Sequence, residues 1–446
     1  MIYLWTALLV AALPALAQQP RDAMHDMTNM PGMNHQNMTG TAMPGTAMPG
    51  TAMPGTAMPD AAMPGTAMPD EAMDASGTGR NPASAPMNML HLSARRWTFT
   101  LHGTAFVTDI QQTGPRAADK FTSMSWGMAT ADRSLAGGTI SFRAMLSLDP
   151  LTITGRRYPE LFQTGETAFG KPIVDGQHPH NFVMELGVAY THPLGRHASL
   201  ELYAAPVGDP AMGPVAYPHR VSAEEIPQAP ITHHLIDSTH VSVDVVTAAL
   251  TRGIWRIEAS GFHAGEPGEN RWNIARGAVD SWSARLSVAP SANWTAQVSA
   301  GRLAKPEVLE PGDQIRLSAS ATYNRPYRGG NWATSAIWGR VHKTGDGASL
   351  NGYLLESLAR FHSRNVLSAR MELADKDELF AVGPVRRIGA WTGGYTRDFD
   401  LPRGLALGLG ANLTTYTMPS ALYPFYGRHP VMALVFLRLR VRGASS

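Results

Sequence analysis

The sequence predicts an all-β fold: a transmembrane antiparallel β-barrel of about 16 strands, preceded by a disordered Met-rich tail. Two observations between residues 93 and 442 predict the barrel. Apolar and polar residues alternate along short segments, and every second connection between these segments is short while most others are longer. In an outer-membrane barrel one face of each strand meets lipid and the other a polar lumen, and short turns at one end oppose long loops at the other.

The alternation is clearest in the last predicted strand. Val435, Leu437 and Leu439 share one face of this strand, and Arg438 and Arg440 share the other. A soluble β-sandwich alternates in the same way, because one face of each of its sheets is buried. The rhythm of the loops favours the barrel. Charged side chains of both signs are then predicted to face the lumen: Arg143, Glu185, Glu201, Asp244, Arg256, Glu258, Arg285, Glu356, Arg360, Arg370, Glu372, Arg438 and Arg440.

The number of predicted strands is even, as in bacterial single-chain barrels, and this places both chain ends in the periplasm. Residues 150–179 and 209–236 form connections far longer than a hairpin needs, and we expect them outside the cell. The predicted strands span residues 96–109, 119–132, 137–149, 180–192, 197–208, 237–251, 254–265, 278–289, 293–303, 313–324, 330–342, 349–361, 365–376, 385–398, 403–417 and 429–442.

Composition narrows the class of protein. Residues 1–17 predict a signal peptide, because an apolar stretch ends in the small-x-small sequence Ala15-Leu16-Ala17. No other run of about twenty apolar residues occurs, which excludes a helical membrane protein. The absence of Cys excludes thiolate metal sites and disulfides. With 37 basic and 35 acidic residues and no basic block, nothing indicates a nucleic-acid partner. We expect a bacterial outer membrane location, with membrane lipid as the surrounding partner.

Residues 18–94 are predicted to form a disordered periplasmic tail, and residues 95–446 the barrel. The tail contains a five-residue repeat, with TAMPG at residues 41, 46 and 51, TAMPD at 56 and 66, and AAMPG at 61. Frequent Pro and Gly oppose both helix and strand pairing, and the tail has little aliphatic bulk.

Sulfur is the informative feature of the tail. Thioethers are soft ligands that select Cu(I) over hard cations, and a flexible chain can bring several to one copper ion. The residues predicted to bind copper in the tail are Met24, His25, Met27, Met30, Met33, His35, Met38, Met43, Met48, Met53 and Met58. The alternative is a linker produced by repeat expansion. Met is an unusual spacer residue, however, and the non-repetitive start of the tail is equally rich in it.

Two resemblances follow from these motifs. The segment from Met24 to Met73 resembles, in composition, the Met-rich leader of the copper-resistance outer-membrane protein B family. The barrel resembles a group of uncharacterised outer-membrane barrels through runs such as QTGET, DGQHPHNF, ITHHLIDSTH, EPGENRW and MPSALYPFYG. The first resemblance implies copper handling and periplasmic copper proteins as partners. The second implies fold and location only.

Histidines cluster at predicted strand ends on the loop side of the barrel. His178 and His180 precede the fourth predicted strand, His233 and His234 end a long loop, and His240 opens the sixth predicted strand. If these imidazoles converge, they form a ligand set for Cu(II), Zn or Ni. The alternative is that each imidazole makes local hydrogen bonds in loops folded into the lumen.

An enzyme is the weakest of the alternatives. Ser238 with His240, and His263 with Glu266, offer residue types used in hydrolysis, but the sequence contains no GxSxG motif. We therefore predict no enzymatic activity. The favoured function is passage or handling of a soft metal, copper first. The alternatives are a porin for small polar solutes, with the tail as a linker, and a structural or adhesive barrel.

Overall fold

The structure, a computed structural model, describes residues 73–86, 88–402 and 404–442, and all of them belong to the unit Ala67–Ser446. Its strands are β1 Met73–Asp74, β2 Arg80–Asn81, β3 Met89–Ala94, β4 Trp97–Gln112, β5 Lys120–Leu135, β6 Gly138–Leu146, β7 Tyr158–Ala168, β8 Lys171–Gln177, β9 Val183–Pro193, β10 Ala198–Gly208, β11 Ser242–Arg252, β12 Trp255–His263, β13 Ser281–Ser291, β14 Trp294–Leu303, β15 Gln314–Tyr327, β16 Gly330–Lys343, β17 Ser349–Phe361, β18 Asn365–Lys376, β19 Arg386–Leu401, β20 Leu405–Thr417 and β21 Val431–Val441.

Short helices occur in the connections. The α-helices are α1 Asp149–Thr152, α2 His233–Ile236 and α3 Tyr423–Tyr426, and the 3-10 helices are Thr154–Arg156, Tyr217–His219, Ser238–Val241 and Ser420–Leu422. None of the helices in the described residues is both long and apolar enough to cross a membrane.

A closed barrel of 16 antiparallel strands confirms the predicted fold class. Strand β4 closes it. Its second half pairs with β21, from Thr104 opposite Arg440 to Gln112 opposite Met432. Its first half pairs with β3, which continues the position of β21 along the wall. Strands β21 and β3 thus share β4 as their partner, and this pairing closes the sheet into a barrel.

Alternation of exposed and buried residues runs along each strand, as predicted. In β18 the side chains of Leu367, Met371 and Leu373 are exposed, while Arg370 and Glu372 between them are buried. The apolar outer face fits lipid, and it carries exposed Trp255, Trp282, Trp294, Trp332 and Trp391. All the predicted inward charges are buried except Asp244, which is partly exposed and pairs with Arg276.

The connections also follow the predicted rhythm. Short turns at one end, which we call the turn end, alternate with loops at the other, which we call the loop end. Within the loop of residues 147–182, β7 and β8 form a separate two-stranded hairpin. Three predicted strand starts are too early: the fourth barrel strand begins at Val183, the sixth at Ser242 and the eighth at Ser281. Residues 233–241 fold instead into α2 and a 3-10 helix, so His240 lies outside the strand.

The lumen is filled by folded chain. Residues 209–241, which we call the inner loop, are almost all buried, and an apolar cluster that includes Ile110, Phe162, Leu235, Leu434 and Phe436 packs at its loop-end side. Residues 73–86 also lie against the inner loop and the wall: the Ser76 hydroxyl donates to Asp209, and Arg285 donates to the Thr78 hydroxyl. The barrel therefore encloses a packed interior with residual cavities.

The start of the barrel unit also differs from the sequence analysis. Residues 73–94 were assigned to the tail, yet they include β1, β2 and β3 and contact the barrel. Unlike the Trp residues of the outer face, Trp126 faces the lumen, where its ring centroid lies 4.4 Å from that of His219.

Candidate metal centre

Three short segments at the loop end carry the imidazole cluster, defined here as His178, His180, His233, His234 and His240. The first two lie between β8 and β9, the next two open α2, and the last lies in the adjacent 3-10 helix. The inner loop leaves the barrel wall after β10 and returns to it at β11. Because α2 and the 3-10 helix end this loop just before β11, His233, His234 and His240 lie close to the wall.

The five rings form a continuous chain of contacts. Their centroids are separated by 5.5 Å between His178 and His234, 5.1 Å between His234 and His233, 5.2 Å between His233 and His240, and 5.6 Å between His240 and His180. The predicted convergence of these rings is thus confirmed by the geometry. One ligand atom from each of His178, His233 and His234 lies within 4.8 Å of the others.

Hydrogen bonds at Nδ1 set the orientation of several of these rings. His233 Nδ1 donates to the carboxylate of Asp237 at 2.7 Å, and His240 Nδ1 donates to the Asp237 carbonyl at 2.8 Å. A proton on Nδ1 leaves the lone pair on Nε2, the arrangement found when a carboxylate or carbonyl orients a metal-binding His. The Nε2 atoms of His234 and His240 are buried without a hydrogen-bond partner.

Burial keeps His178, His234 and His240 neutral. It lowers the pKa of His178, lowers that of His240 to about 3, and together with the nearby His233 holds the pKa of His234 well below its usual value. Neutral imidazole is the form that binds a metal ion. Burial disfavours ionisation of Glu166, but Arg271 and His178 outweigh it and hold the pKa of this carboxyl below its usual range.

The β7–β8 hairpin covers the cluster and adds a carboxylate to it. Glu166 Oε1 lies 2.9 Å from His178 Nε2, and Arg271 also pairs with Glu166. The ring of His234 packs so closely on Gly165 that a Cβ there would lie within 2.7 Å of three ring atoms. Gly165 also has φ +124°, which only Gly adopts easily. The glycine therefore allows the hairpin to close over the imidazoles.

His180 is held differently from the other rings. Its Nδ1 donates to Asp149 at 2.9 Å, and the Tyr217 hydroxyl lies 3.3 Å from its Nε2. Both ring nitrogens therefore have partners. His180 also lies outside the set of three imidazoles whose ligand atoms converge, so the geometry fits it as a structural neighbour, which is the alternative that the sequence left open.

The inner loop is joined to one side of the lumen by ion pairs. We call this side the ionic wall and define it as Glu356, Arg360, Arg370, Asp398, Arg438 and Arg440, which project from β17, β18, β19 and β21. From the loop, Arg220 pairs with Glu356 at 2.6 Å, and Glu224 pairs with Arg360 at 2.6 Å. Glu225, fully buried, contacts Arg438 and Arg360. Asp237 pairs with Arg220 at 2.6 Å, which ties the imidazole cluster to the same network.

The remaining predicted residues belong to the tail and to the two candidate hydrolytic pairs. The candidate ligands of the tail, from Met24 to Met58, lie outside the described residues, as does the predicted signal peptide. The hydroxyl of Ser238 accepts from Arg316 at 2.7 Å and contacts the His234 carbonyl, rather than an imidazole. His263 pairs with Asp280 at 3.1 Å rather than with Glu266.

Sequence reasoning missed two partners of the cluster. Asp149 follows the third barrel strand at the loop end, and this placement at the same end as His180 was a usable signal. Arg271 comes from the separate loop between β12 and β13, and no local pattern indicated that it would reach Glu166.

The barrel is similar in fold to solved porins. OmpF of Salmonella typhi, solved in complex with daunomycin, matches 79% of this chain and 100% of its own with a TM-score of 0.50 and 8% sequence identity. An anion-selective porin from Comamonas acidovorans matches 77% of this chain and 99% of its own, with a TM-score of 0.49 and 11% identity. Neither a protein-family model nor a curated protein matches the chain.

The likeness to OmpF shows the fold alone at this identity. Together with the closed barrel and its exposed apolar outer face, it gives the protein its class. The chain is a transmembrane antiparallel β-barrel. Membrane lipid therefore surrounds the outward side chains, and a functional site is expected in the filled lumen.

Proposed function

We propose that this outer-membrane barrel handles copper, with the imidazole cluster as a binding site at its loop end. The observation that carries the proposal is the convergence of His178, His233 and His234 beneath the β7–β8 hairpin, with ligand atoms within 4.8 Å of one another. A purely structural set of imidazoles would satisfy its buried nitrogens, whereas Nε2 of His234 and of His240 finds no hydrogen-bond partner among the residues that the structure describes.

Copper fits this donor set better than a hard cation does. Imidazole suits Cu, Zn and Ni, and divalent copper binds most strongly in the usual affinity order. Two imidazole nitrogens on one metal ion lie about 3.3 Å apart for bonds of about 2.0 Å and a tetrahedral angle. The present separations thus require only a modest closing of the rings. The Met-rich tail, which we place in the periplasm, would bind Cu(I) through its thioethers and meet periplasmic copper proteins there.

The test is binding of Cu(II) by the full chain in detergent, read by electron paramagnetic resonance and by competition with a chelator. His234→Phe keeps a ring and removes both nitrogens. Loss of an outer-shell partner alone weakens metal sites about 10–100-fold. We therefore expect at least a 10-fold weaker Cu(II) affinity and fewer nitrogen hyperfine lines in this variant.

His429→Phe is the matched control, because His429 is an exposed imidazole of the loop between β20 and β21. Its affinity for Cu(II) should equal that of the unaltered chain. The imidazole site is rejected if His234→Phe and His429→Phe give the same spectrum and the same affinity.

A porin for small polar solutes is the second candidate, and one observation favours it. A cavity of about 500 Å³ opens near the turn end, lined by residues that include Arg80, Arg196 and Arg285. The inner loop opposes this function because it fills the lumen beyond that cavity. A steady ohmic conductance in planar bilayers, unchanged by copper, would favour the porin.

A further inference from the structure

Four neighbouring strands place sulfur and imidazole side by side on the lumen wall. We call these residues the thioether row: His102 in β4, Met128 in β5, Met145 in β6 and Met184 in β9. In the sheet register His102 lies opposite Met128, and Met128 lies opposite Met145. Directly opposed residues have Cβ atoms about 4.5–5.5 Å apart on one face, so these three side chains are neighbours.

A β-bulge adds the fourth member of the row. The pairing of β6 with β9 shifts register between Met145 and Leu146, and the extra residue on β9 is Met184. Both Met184 and Glu185 are consequently buried, although regular alternation would turn one of them outward. Bulges re-aim side chains in this way. Met128, Met145 and Met184 form one buried contact cluster, with Trp126 against it.

The inner loop brings a second imidazole to this row. His219 Nε2 lies 3.2 Å from Met145 Sδ, and the His219 ring centroid lies 5.7 Å from that of His102 and 4.4 Å from that of Trp126. Burial and the neighbouring imidazoles hold the pKa of His219 well below its usual value, so its ring is neutral. Two atoms that can bind a metal ion, His219 Nε2 and Met145 Sδ, thus face each other inside the barrel.

Space for an ion adjoins the two imidazoles of this region, His102 and His219. A cavity of about 140 Å³ is lined by His102, Trp126, His180 and His219 among others. A cavity holds a water molecule once about 10–15 Å³ is available, so this one admits a partly hydrated ion. His180 also lines the smaller cavity at the imidazole cluster, so the two spaces meet at that residue.

We propose that Met145, Met184 and Met128, together with His219, form a binding site for a soft monovalent cation, Cu(I) or Ag(I), in the lumen. Thioether sulfur selects such ions. With bonds of about 2.0 Å to nitrogen and about 2.3 Å to sulfur, a tetrahedral ion separates its donor atoms by about 3.5 Å, close to the present N–S distance. This site deepens the proposed copper function by adding a Cu(I)-selective position, but it uses none of the three converging imidazoles.

The test is an Ag(I) titration of the full chain in detergent, followed by Trp fluorescence. Ag(I) is soft and redox-inert, and Trp126 would be quenched by an ion bound beside it. Trp126→Phe identifies that component of the emission. Met145→Leu conserves volume and removes the sulfur, and we expect it to weaken the Trp126-dependent quenching at least 10-fold. His219→Phe removes the nitrogen independently and should have the same effect.

Met371→Leu is the control, since Met371 is an exposed thioether on the outer face of β18. Residues 18–94 contain no Trp, so Ag(I) bound to the tail quenches no Trp fluorescence there. Any Ag(I) that the tail binds is the same for all variants. Quenching of Trp126 that is equal in Met145→Leu, His219→Phe and the unaltered chain overturns the proposal and leaves the row as apolar packing. Met145→Leu should keep the Cu(II) spectrum, so this failure is distinguishable from failure of the imidazole cluster.

Discussion

The two sides of the lumen differ in the chemistry that they offer to the same inner loop. The ionic wall holds the loop by buried ion pairs, such as Arg220 with Glu356 and Arg360 with Glu224. The adjacent part of the wall, built by β4, β5, β6 and β9, meets the loop with the neutral thioether row and leaves a cavity beside His102. One side fixes the loop, and the other retains groups that can bind a ligand.

This difference teaches how a filled barrel can still have a site. Buried ion pairs contribute little net stability, because removing the charges from water offsets their attraction, but each charge requires its partner in place. Ion pairs on one side therefore specify the position of the loop. Thioether sulfur loses little on burial, so the other side can hold it beside the neutral His219 ring, 3.2 Å from Met145 Sδ, until an ion arrives.

The largest effect should come from Glu225→Gln, which removes a fully buried charge that the inner loop places against the ionic wall. Glu225 contacts Arg438, Arg440 and Arg360, and the change leaves these cations with fewer partners. Breaking one side of a buried pair costs about 3–5 kcal/mol. We expect a lower unfolding temperature of the barrel on heat-modified gels and a higher conductance in planar bilayers, because the inner loop loosens.

Asp400→Asn is the control for that variant. Asp400 pairs with Arg364 at 2.8 Å, but both side chains are about half exposed. Exposed pairs contribute about 0–1 kcal/mol, so the unfolding temperature and the conductance should hardly change. Equal behaviour of Glu225→Gln and Asp400→Asn would show that the ionic wall does not hold the loop.

An intermediate effect is expected where the loop touches the wall without charge. A Cβ on Gly339 would lie 2.2 Å from the Leu235 carbonyl oxygen, so Gly339→Ala pushes on α2, which carries His233 and His234. Overpacking of this kind costs about 1–3 kcal/mol. We predict lower stability and weaker Cu(II) binding, measured as for His234→Phe, with Ag(I) quenching of Trp126 less affected.

Gly393→Ala provides the comparison on a nearby strand, because a Cβ there would meet nothing within 4 Å. It should leave stability and copper affinity unchanged. If Gly339→Ala is equally silent, then α2 is free to move and the imidazole cluster is not positioned by its contact with β16.

Much of the barrel could be predicted from the sequence because alternation with period two is a local property. Strand β18 was predicted at its observed bounds, residues 365–376, and the buried arginines of β21 were assigned to the correct face. The predicted start of the sixth strand was wrong because residues 237–241 also alternate, while the hydrogen bonds of Asp237 with His233 and His240 favour helical turns there.

The sites were only partly predictable, for a physical reason. Five imidazoles at adjacent strand ends were enough to expect the imidazole cluster. The thioether row requires the register between strands, since Met128 and Met145 meet only when β5 and β6 are aligned. Met184 requires a bulge as well, and alternation alone does not show which strand is bulged. Ion-pair partners such as Glu225 and Arg438 are separated by most of the barrel in sequence.

The smallest effect on the lumen should come from the tail. We expect residues 24–73 to bind Cu(I) through thioethers, and replacing their Met residues with Leu should abolish that binding while Trp126 quenching by Ag(I) persists. Thioether carries no proton, so tail binding should persist to about pH 4, well below the imidazole pKa of about 6.5. Replacing His25 and His35 instead should leave binding at that pH unchanged. Titration of the full-length variants with Cu(I) against a competing chelator measures both effects. Should the Leu variant compete as well as the unaltered chain, the tail is a linker, and the thioether row becomes the remaining candidate for soft-metal binding.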